Sequence, residues 1–267
     1  MARRPNRYVA LALVAVLAAT GCGSESPQSP PTGIDGLVIP TASPDPADFV
    51  TTIDNPWLPY APSAVWSYTL RTEDLDYLLS VTVLPDHERV AGVATTVVET
   101  LTTPALDGQP HGTPVRTRDY YAQDRSGNVW WFGREGVWRA GDGAEAGLAM
   151  PATPRVGDGW QAAYGAGVVD VRQSVVTLDQ SESVPAGRYT DLLGIDVTDA
   201  LQPDSVRRRF FARGVGLVEE ESTEGPAYLA ELESVSGPAT GAGGTTGPSA
   251  AAPPDGPGRR WARAPSG

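Results

Sequence analysis

The stretch DYYAQDRSGNVWWFG, residues 119–133, decides the predicted fold because it has the pattern of a β-hairpin. Five large aromatic side chains flank a polar break, DRSGN, in a chain whose residues are only 7% aromatic. Within the break, Gly127 and Asn128 tolerate a positive φ, and the Asp124 carboxylate can hydrogen-bond to the turn backbone. We therefore predict two strands joined by a turn at residues 124–128.

The aromatic side chains of this hairpin must fall on both of its faces. Neighbouring residues of a strand point in opposite directions, so two adjacent aromatic residues cannot share a face. We predict Tyr121 with Trp130 and Phe132 on one face, and Tyr120 with Trp131 on the other. A single curved sheet cannot shield both faces by itself, so a second structure or molecule must cover one of them.

That cover is either protein or ligand. Residues 144–165, or the Pro-rich segment that contains Trp57, would make it ordinary core packing, whereas a ligand would make it an apolar cleft. Burying one aromatic ring removes about 150–250 Å² from water, so either cover would be strongly favourable. If the cover is a ligand, the candidate binding residues are Trp66, Tyr121, Trp130, Trp131 and Phe132.

The same strand-and-turn pattern extends in both directions from the hairpin. Alternating, β-branched segments end at turns about every ten residues, and few windows have the periodicity of an amphipathic helix. The predicted strands are residues 64–71, 77–84, 93–103, 116–123, 129–132, 137–139, 168–178, 188–198, 206–212, 217–221 and 227–235. This spacing indicates an antiparallel sheet that is strongly curved or closed. Of these we predict a mainly β fold with one curved antiparallel sheet or half-barrel, and residues 144–165 as a long irregular connection.

The N-terminal end has the features of an export signal. Three arginines precede an apolar run at residues 8–19, which is too short to span a bilayer. The run leads into ATGC, and Cys22 is the only cysteine of the chain. This pattern resembles the lipobox of bacterial lipoproteins, which implies a signal peptide at residues 1–21 and a lipid on Cys22. The alternative is an ordinary secretory signal followed by a chance cysteine.

A lipid on Cys22 would anchor the protein to the cell membrane at its extracytoplasmic face. Residues 22–48 are rich in Ser and Pro and predict a flexible tether, and residues 236–267 are a low-complexity stretch that predicts a disordered tail. The segment between them, residues 49–235, is long enough for one β domain with its own core. A single cysteine cannot form a disulfide within the chain.

The charge of the chain excludes one class of partner. Without the three arginines of residues 1–21, 17 basic groups remain against 32 acidic ones, a net charge of −15. Nucleic acid binding requires positive charge that neutralises phosphates. We therefore predict no nucleic acid partner.

No catalytic or metal-binding pattern stands out. His87 and His111 lie in separate predicted turns, and together with an acylated Cys22 they do not supply a zinc site. Residues 124–135 match an EF-hand loop at several ligand positions, but Val129 stands where that loop needs its central glycine. We predict a plain hairpin turn there, and neither metal nor cofactor.

The charged residues favour structural roles. Acidic residues within 73–76 and at 219–221 could supply the carboxylate pair of a hydrolase, but acidic side chains at strand ends are usually solvated. We predict that the protein is not an enzyme. The three arginines at 207–209 alternate between the two faces of a strand, and we predict that they protect an outer strand of the sheet.

Four motifs resemble landmarks of a family of uncharacterised secreted bacterial β-proteins. They are NPWLPYAPSAVWSYT at 55–69, YYAQDRSGNVWWFG at 120–133, SVPAGRYTDLL at 183–193 and FFARGVGLVEEE at 210–221. The resemblance covers nearly all of residues 54–221 and implies an exported β domain. More distantly, the pattern is similar at fold level to the LolA-type carriers of lipoproteins and envelope lipids, which have a curved sheet.

Three functional hypotheses follow. The first is non-enzymatic binding of a lipid or other apolar molecule at the cell envelope, suggested by the two-faced aromatic hairpin and the membrane anchor. The second is a structural module that contacts protein or polysaccharide, with every aromatic ring internal. The third and weakest is a carboxylate-dependent hydrolase.

Overall fold

Strands make up most of residues 45–238, which are the residues that the computed structural model describes. They are β1 (Phe49–Val50), β2 (Val65–Thr72), β3 (Asp76–Val90), β4 (Val93–Leu106), β5 (Gln109–Pro110), β6 (Val115–Asp124), β7 (Val129–Arg134), β8 (Trp138–Arg139), β9 (Glu145–Met150), β10 (Gly159–Gly165), β11 (Val169–Val184), β12 (Gly187–Asp199), β13 (Gln202–Ala212), β14 (Gly216–Glu224) and β15 (Tyr228–Ser236). One turn of 3-10 helix at Pro46–Asp48 precedes β1. Between residues 45 and 238, no helix has the length and apolar character needed to cross a membrane.

The sheet closes on itself. Apart from the short β1, β5 and β8, each strand pairs antiparallel with the next one along the chain, and β15 returns to pair with β2. That last pairing runs from Tyr228 opposite Thr72 to Ser236 opposite Val65. The result is a closed ring of twelve strands.

This ring confirms the mainly β fold and corrects the prediction of a curved sheet or half-barrel. Strand periodicity reveals which residues can pair but not which strands do. The two closing strands are separated by almost the whole length of the domain, so no local pattern marks their pairing. Closure leaves no unpaired edge in the main sheet, which removes the template for pairing with another chain.

The prediction that residues 144–165 form a long irregular connection is wrong, because this segment contains strands β9 and β10. Strands β9 and β10 are rich in Gly and Ala, which are depleted in most strands, so the sequence pattern did not predict them. The small side chains have a structural reason, since Ala146 lies directly opposite Ala163. A Cβ atom added at Gly147 would lie 2.2 Å from the carbonyl oxygen of Ala162.

A Pro-rich segment, residues 53–64, covers one end of the barrel, which we call the closed end. Asn55 holds this segment in place, because its Nδ2 donates to the carbonyl oxygens of Gly127 and Pro151. Gly214 N also donates to Pro56 O at 2.7 Å. These partners lie in the β6–β7, β9–β10 and β13–β14 connections, and all three connections therefore meet at the closed end. The β2–β3, β10–β11 and β12–β13 turns lie at the opposite end, which we call the far end.

The β11–β12 hairpin contacts β14 and β15 through its tip, where Ala186 N donates to Leu232 O at 2.9 Å. Nearby on β14, Glu219 is only 9% exposed and lies opposite Glu231 across the β14–β15 pair. Burial raises the pKa of Glu219 to about 7, and repulsion from Glu182, Glu221 and Glu231 acts in the same direction. Glu219 is therefore a carboxyl group that the fold prefers to keep protonated.

We expect Glu219→Gln to stabilise the protein above neutral pH and to have little effect near pH 5. The folded protein keeps the Glu219 proton up to about pH 7, whereas the unfolded chain releases it near 4.5. Since the folded state binds more protons in this window, the free energy of unfolding falls as the pH rises through it. The expected gain above neutral pH is on the order of 2 kcal/mol.

Urea denaturation at a series of pH values measures this effect. The control is Glu224→Gln, because Glu224 lies on the same strand but is exposed. An equal effect of Glu219→Gln at every pH would contradict the assignment.

Candidate functional site

A cavity of about 550 Å³ lies inside the barrel. At the closed end it is lined by Leu58 and Tyr60 of the Pro-rich segment, together with Trp66. Its lining reaches Asp199 and Gln202, which flank the β12–β13 turn at the far end. The volume is within the range of about 300–1,000 Å³ that is typical of small-molecule sites.

The hairpin of residues 119–133 contributes two aromatic rings to this cavity. Tyr121 lies opposite Trp131 in the β6–β7 pair, and both residues line the cavity with their rings stacked 6.4 Å apart. Tyr120, Trp130 and Phe132 belong to a separate buried cluster on the outer side of the barrel. The predicted grouping of Tyr121 with Trp130 and Phe132 is therefore wrong. Directly opposed residues share a face, and a register shift between Tyr120 and Tyr121 decides which residues are opposed.

Protein covers the outer aromatic cluster. Phe49 of β1 packs edge-on against Trp130 and Phe132, with ring centroids 6.4 and 5.2 Å away. Val90 and Val93, at the β3–β4 turn, complete the cover. Trp130 is 1% exposed, and neither it nor Phe132 lines the cavity. Of the five candidate binding residues, the structure brings together Trp66, Tyr121 and Trp131 only.

Tyr60 is a cavity residue that the sequence did not single out. Its ring lies 5.8 Å from that of Trp66 and 5.3 Å from that of Tyr121, so it links the two. The sequence feature that could have identified Tyr60 is an aromatic residue within a Pro-rich segment. Such a segment has no strand periodicity, so the sequence does not predict which way the Tyr60 side chain points. Trp57, in the same segment, is buried in the core beneath Arg213.

Asp119 and Arg134 form one ion pair in the cavity wall. Arg134 donates to the two carboxylate oxygens of Asp119 through Nε at 2.9 Å and Nη2 at 3.0 Å. Trp131 Nε1 donates to the same carboxylate at 3.0 Å. Three of the roughly four acceptor positions of the Asp119 carboxylate are therefore used within the wall, and this pair adds no net charge to the cavity.

A second cluster of charged side chains in the wall contains two guanidinium groups and one carboxylate. Glu220 lies 3.5 Å from Arg207 Nη1 and 3.2 Å from Arg209 Nε, so one carboxylate serves two guanidinium groups. Arg208, between them in the sequence, faces the outside and donates to Asp196 at 2.6 and 2.9 Å. The three arginines do alternate between faces, but the prediction that they protect an outer strand is wrong because β13 is paired on both sides.

Two tyrosine hydroxyls in the cavity lack a hydrogen-bond partner among the described residues. Burial is the main cause that raises the pKa of Tyr60 and of Tyr121 well above the ordinary value, and repulsion from Asp119 adds to it. Both groups therefore stay protonated. Neither hydroxyl has a hydrogen bond to any of residues 45–238, whereas the buried Tyr68 hydroxyl donates to Leu217 O at 2.9 Å.

The other residues considered for chemistry have structural partners. Asp124 accepts from Ser126 N, Asn128 N, Asn128 Nδ2 and Trp130 Nε1, so it organises the hairpin turn as predicted. His87 Nε2 lies 3.1 Å from Thr51 O. Across residues 45–238, no three His, Cys, Asp or Glu side chains come together as metal ligands.

Several sequence predictions concern residues outside the described range of 45–238. These are the signal peptide at 1–21, the lipid on Cys22, nearly all of the tether at 22–48 and nearly all of the tail at 236–267. They stay predictions.

No protein-family model and no curated protein matches the chain. Among solved structures, an exported protein from Bacteroides fragilis with a YmcC-like fold is 13% identical with a TM-score of 0.41, over 68% of this chain and 99% of its own. A lipoprotein from Parabacteroides distasonis is 14% identical with a TM-score of 0.38, over 67% and 98%. These comparisons show no similarity to a LolA-type carrier.

Proposed function

We propose that this protein binds a lipid or another molecule with a large apolar part inside its barrel, at the extracytoplasmic face of the cell membrane. The cavity of about 550 Å³ is the observation that carries this proposal. A volume of this size inside a barrel can enclose the apolar part of a small molecule, and most small-molecule sites are concave and largely preformed.

The composition of the wall supports an organic ligand over water alone. Trp66, Tyr121 and Trp131 present aromatic surface to the cavity, and Leu79 and Val98 add aliphatic surface. Burial of such surface is the main source of affinity in small-molecule sites. A purely structural module, the second hypothesis, has no need for internal space.

The carboxylates of the cavity favour binding over hydrolysis. A hydrolase of the carboxylate type needs one acidic group that donates a proton and another that attacks or activates water. Asp119 and Glu220 are instead each in contact with arginine side chains. We therefore propose a non-enzymatic role.

The N-terminal pattern supports the proposed location. The apolar run at residues 8–19 and the ATGC that ends in Cys22 have the character of a lipoprotein signal. Acylation of Cys22 would hold the barrel near the membrane, where lipids and other apolar molecules are available.

Native mass spectrometry of the full chain, purified from the membranes of a bacterial host that acylates exported proteins, tests both parts. We expect a noncovalent adduct that organic extraction removes. Thr100→Trp, whose new ring would fill the cavity, should abolish the adduct. Thr103→Trp is the matched control, because Thr103 is on the same strand but does not line the cavity. An adduct unaffected by Thr100→Trp, or none in the wild type, would contradict binding in the barrel.

The covalent mass of the same sample reports the anchor. We expect the mass of a chain that begins at an acylated Cys22, and we expect Cys22→Ala to leave the membrane fraction. Retention of the Cys22→Ala variant in that fraction would show that the anchor assignment is wrong while leaving the binding result intact.

A further inference from the structure

We propose that the ligand is an amphipathic carboxylic acid, whose carboxylate is bound by Arg209 and Arg207 in the middle of the barrel. This inference rests on the proposed function and names the chemical class of its ligand.

The wall contains hydrogen-bond donors that have no partner among residues 45–238. The hydroxyls of Tyr60 and Tyr121 are protonated and have no partner among residues 45–238. The Arg209 side chain is 33% exposed and lines the cavity, and its Nη1 has no hydrogen bond to the described residues. Its Nη2 donates to Glu220 Oε1 at 3.4 Å, and its Nε, 3.2 Å from Glu220, has almost no accessible surface, so Nη1 is the guanidinium nitrogen left for a ligand. Donors with no acceptor in the wall favour a ligand that supplies one.

One acceptor of the wall, the Asp119 carboxylate, is largely used. It accepts two hydrogen bonds from Arg134 and one from Trp131. Gln173 Oε1 lacks a hydrogen bond, but that atom has almost no accessible surface and so cannot meet a ligand. The free hydroxyls of Tyr60 and Tyr121 and the Nη1 of Arg209 therefore suit a ligand group that accepts hydrogen bonds.

The charges of the wall point in the same direction. The charged side chains that line the cavity are Asp119, Arg134, Asp199, Arg207, Arg209 and Glu220, three acids and three bases. The first two neutralise each other, and Asp199 lies at the far end, where it accepts from Leu201 N at 2.9 Å. Around Glu220, two guanidinium groups share one carboxylate, which leaves one local positive charge in this part of the wall.

A single planar carboxylate balances this charge. An arginine fork matches carboxylate geometry in a bidentate contact, and the tyrosine hydroxyls can donate to the remaining lone pairs. A doubly charged phosphate would leave an excess negative charge beside Glu220 and Asp119. The apolar chain of the acid would contact Trp66, Val98 and Phe211, which line the same cavity.

The test compares two probes of equal chain length, dodecanoate and dodecanol. Each is titrated into the full chain carrying Cys22→Ser, which keeps the anchor out of the assay, and binding is followed by tryptophan fluorescence because Trp66 and Trp131 line the cavity. We expect dodecanoate to bind at least about tenfold more tightly than dodecanol. Arg209→Met should weaken dodecanoate binding about tenfold and leave dodecanol binding unchanged.

Arg208→Met is the matched control, since Arg208 is the adjacent arginine on the outer face, and it should change neither affinity. Glu220→Gln supplies a second variant, because it leaves both arginines without their carboxylate and should tighten dodecanoate binding. If both probes bind equally, and neither Arg209→Met nor Glu220→Gln alters dodecanoate binding, the carboxylate assignment is overturned and the proposed function stands. If neither probe binds, the carboxylate assignment is overturned, and the adduct in the native mass spectrum decides the proposed function separately.

Discussion

Replacing Gly147 with alanine is expected to destabilise the protein by at least about 3 kcal/mol, or to prevent folding. Gly147 lies on β9, between β7 and β10. A Cβ atom there would lie 2.2 Å from Ala162 O, 2.3 Å from Ala162 C and 2.7 Å from Ala163 N. These are backbone atoms, which cannot rotate away as a side chain can. The clash could be relieved only if β9 and β10 separated, and that would open the ring.

Urea denaturation followed by tryptophan fluorescence measures this loss. Gly159→Ala is the matched control on the neighbouring strand, because its Cβ would come no closer than 3.8 Å to another atom and its φ is not positive. We expect its effect to stay within about 0.5 kcal/mol. A fully folded Gly147→Ala variant with wild-type stability would contradict the close approach of β9 to β10.

Asn55→Ala is expected to cost about 3–5 kcal/mol. The Asn55 side chain makes three hydrogen bonds to backbone groups, and the residue is only 2% exposed. Nδ2 donates to Gly127 O at 2.9 Å and to Pro151 O at 3.1 Å, while Oδ1 accepts from Trp57 N at 2.9 Å. Alanine leaves these groups without partners, and each buried orphan costs about 1–3 kcal/mol.

The loss should appear as a lower urea midpoint. Thr52→Ala is the control, since Thr52 is exposed in the same part of the chain. Asn55→Asp should be at least as harmful as Asn55→Ala, because it keeps the acceptor for Trp57 but places a carboxylate against two carbonyl oxygens. A loss below about 1 kcal/mol for both Asn55 variants would show that the segment is held mainly by apolar packing.

Asn55 matters for the cavity as well as for stability. It fixes the Pro-rich segment to two connections at the closed end, and that segment carries Leu58 and Tyr60 into the cavity lining. We therefore expect any Asn55 variant that still folds to bind dodecanoate more weakly, because Tyr60 would lose its fixed position.

Local chemistry made some features predictable. The alternation of β-branched and polar residues located most of the long strands, and Gly and Pro located their ends. The turn at Asp124 was predictable because its hydrogen bonds join residues only a few positions apart. Strands β9 and β10 were not predicted. Strand propensity describes an average strand, whereas these two strands need small residues to approach each other closely.

The candidate site was predictable only in part. Trp66, Tyr121 and Trp131 were identified as aromatic residues of strands, and they line the cavity. Trp130 and Phe132 had the same sequence character but face the outer cluster. A register shift of one residue exchanges the two faces of a strand, and hydrophobicity alone could not locate that shift when both faces are apolar. The contact of Glu220 with two arginines also could not be predicted, because it joins residues of two neighbouring strands.

The sequence by itself determined that this chain forms a mainly β domain and where most of its strands run, because strand and turn preferences act over a few residues. The tertiary structure alone decided that β15 pairs with β2, which aromatic rings face inward and which charges share the cavity. Those outcomes depend on register and on contacts between residues far apart in the chain, and both are set when the whole ring closes.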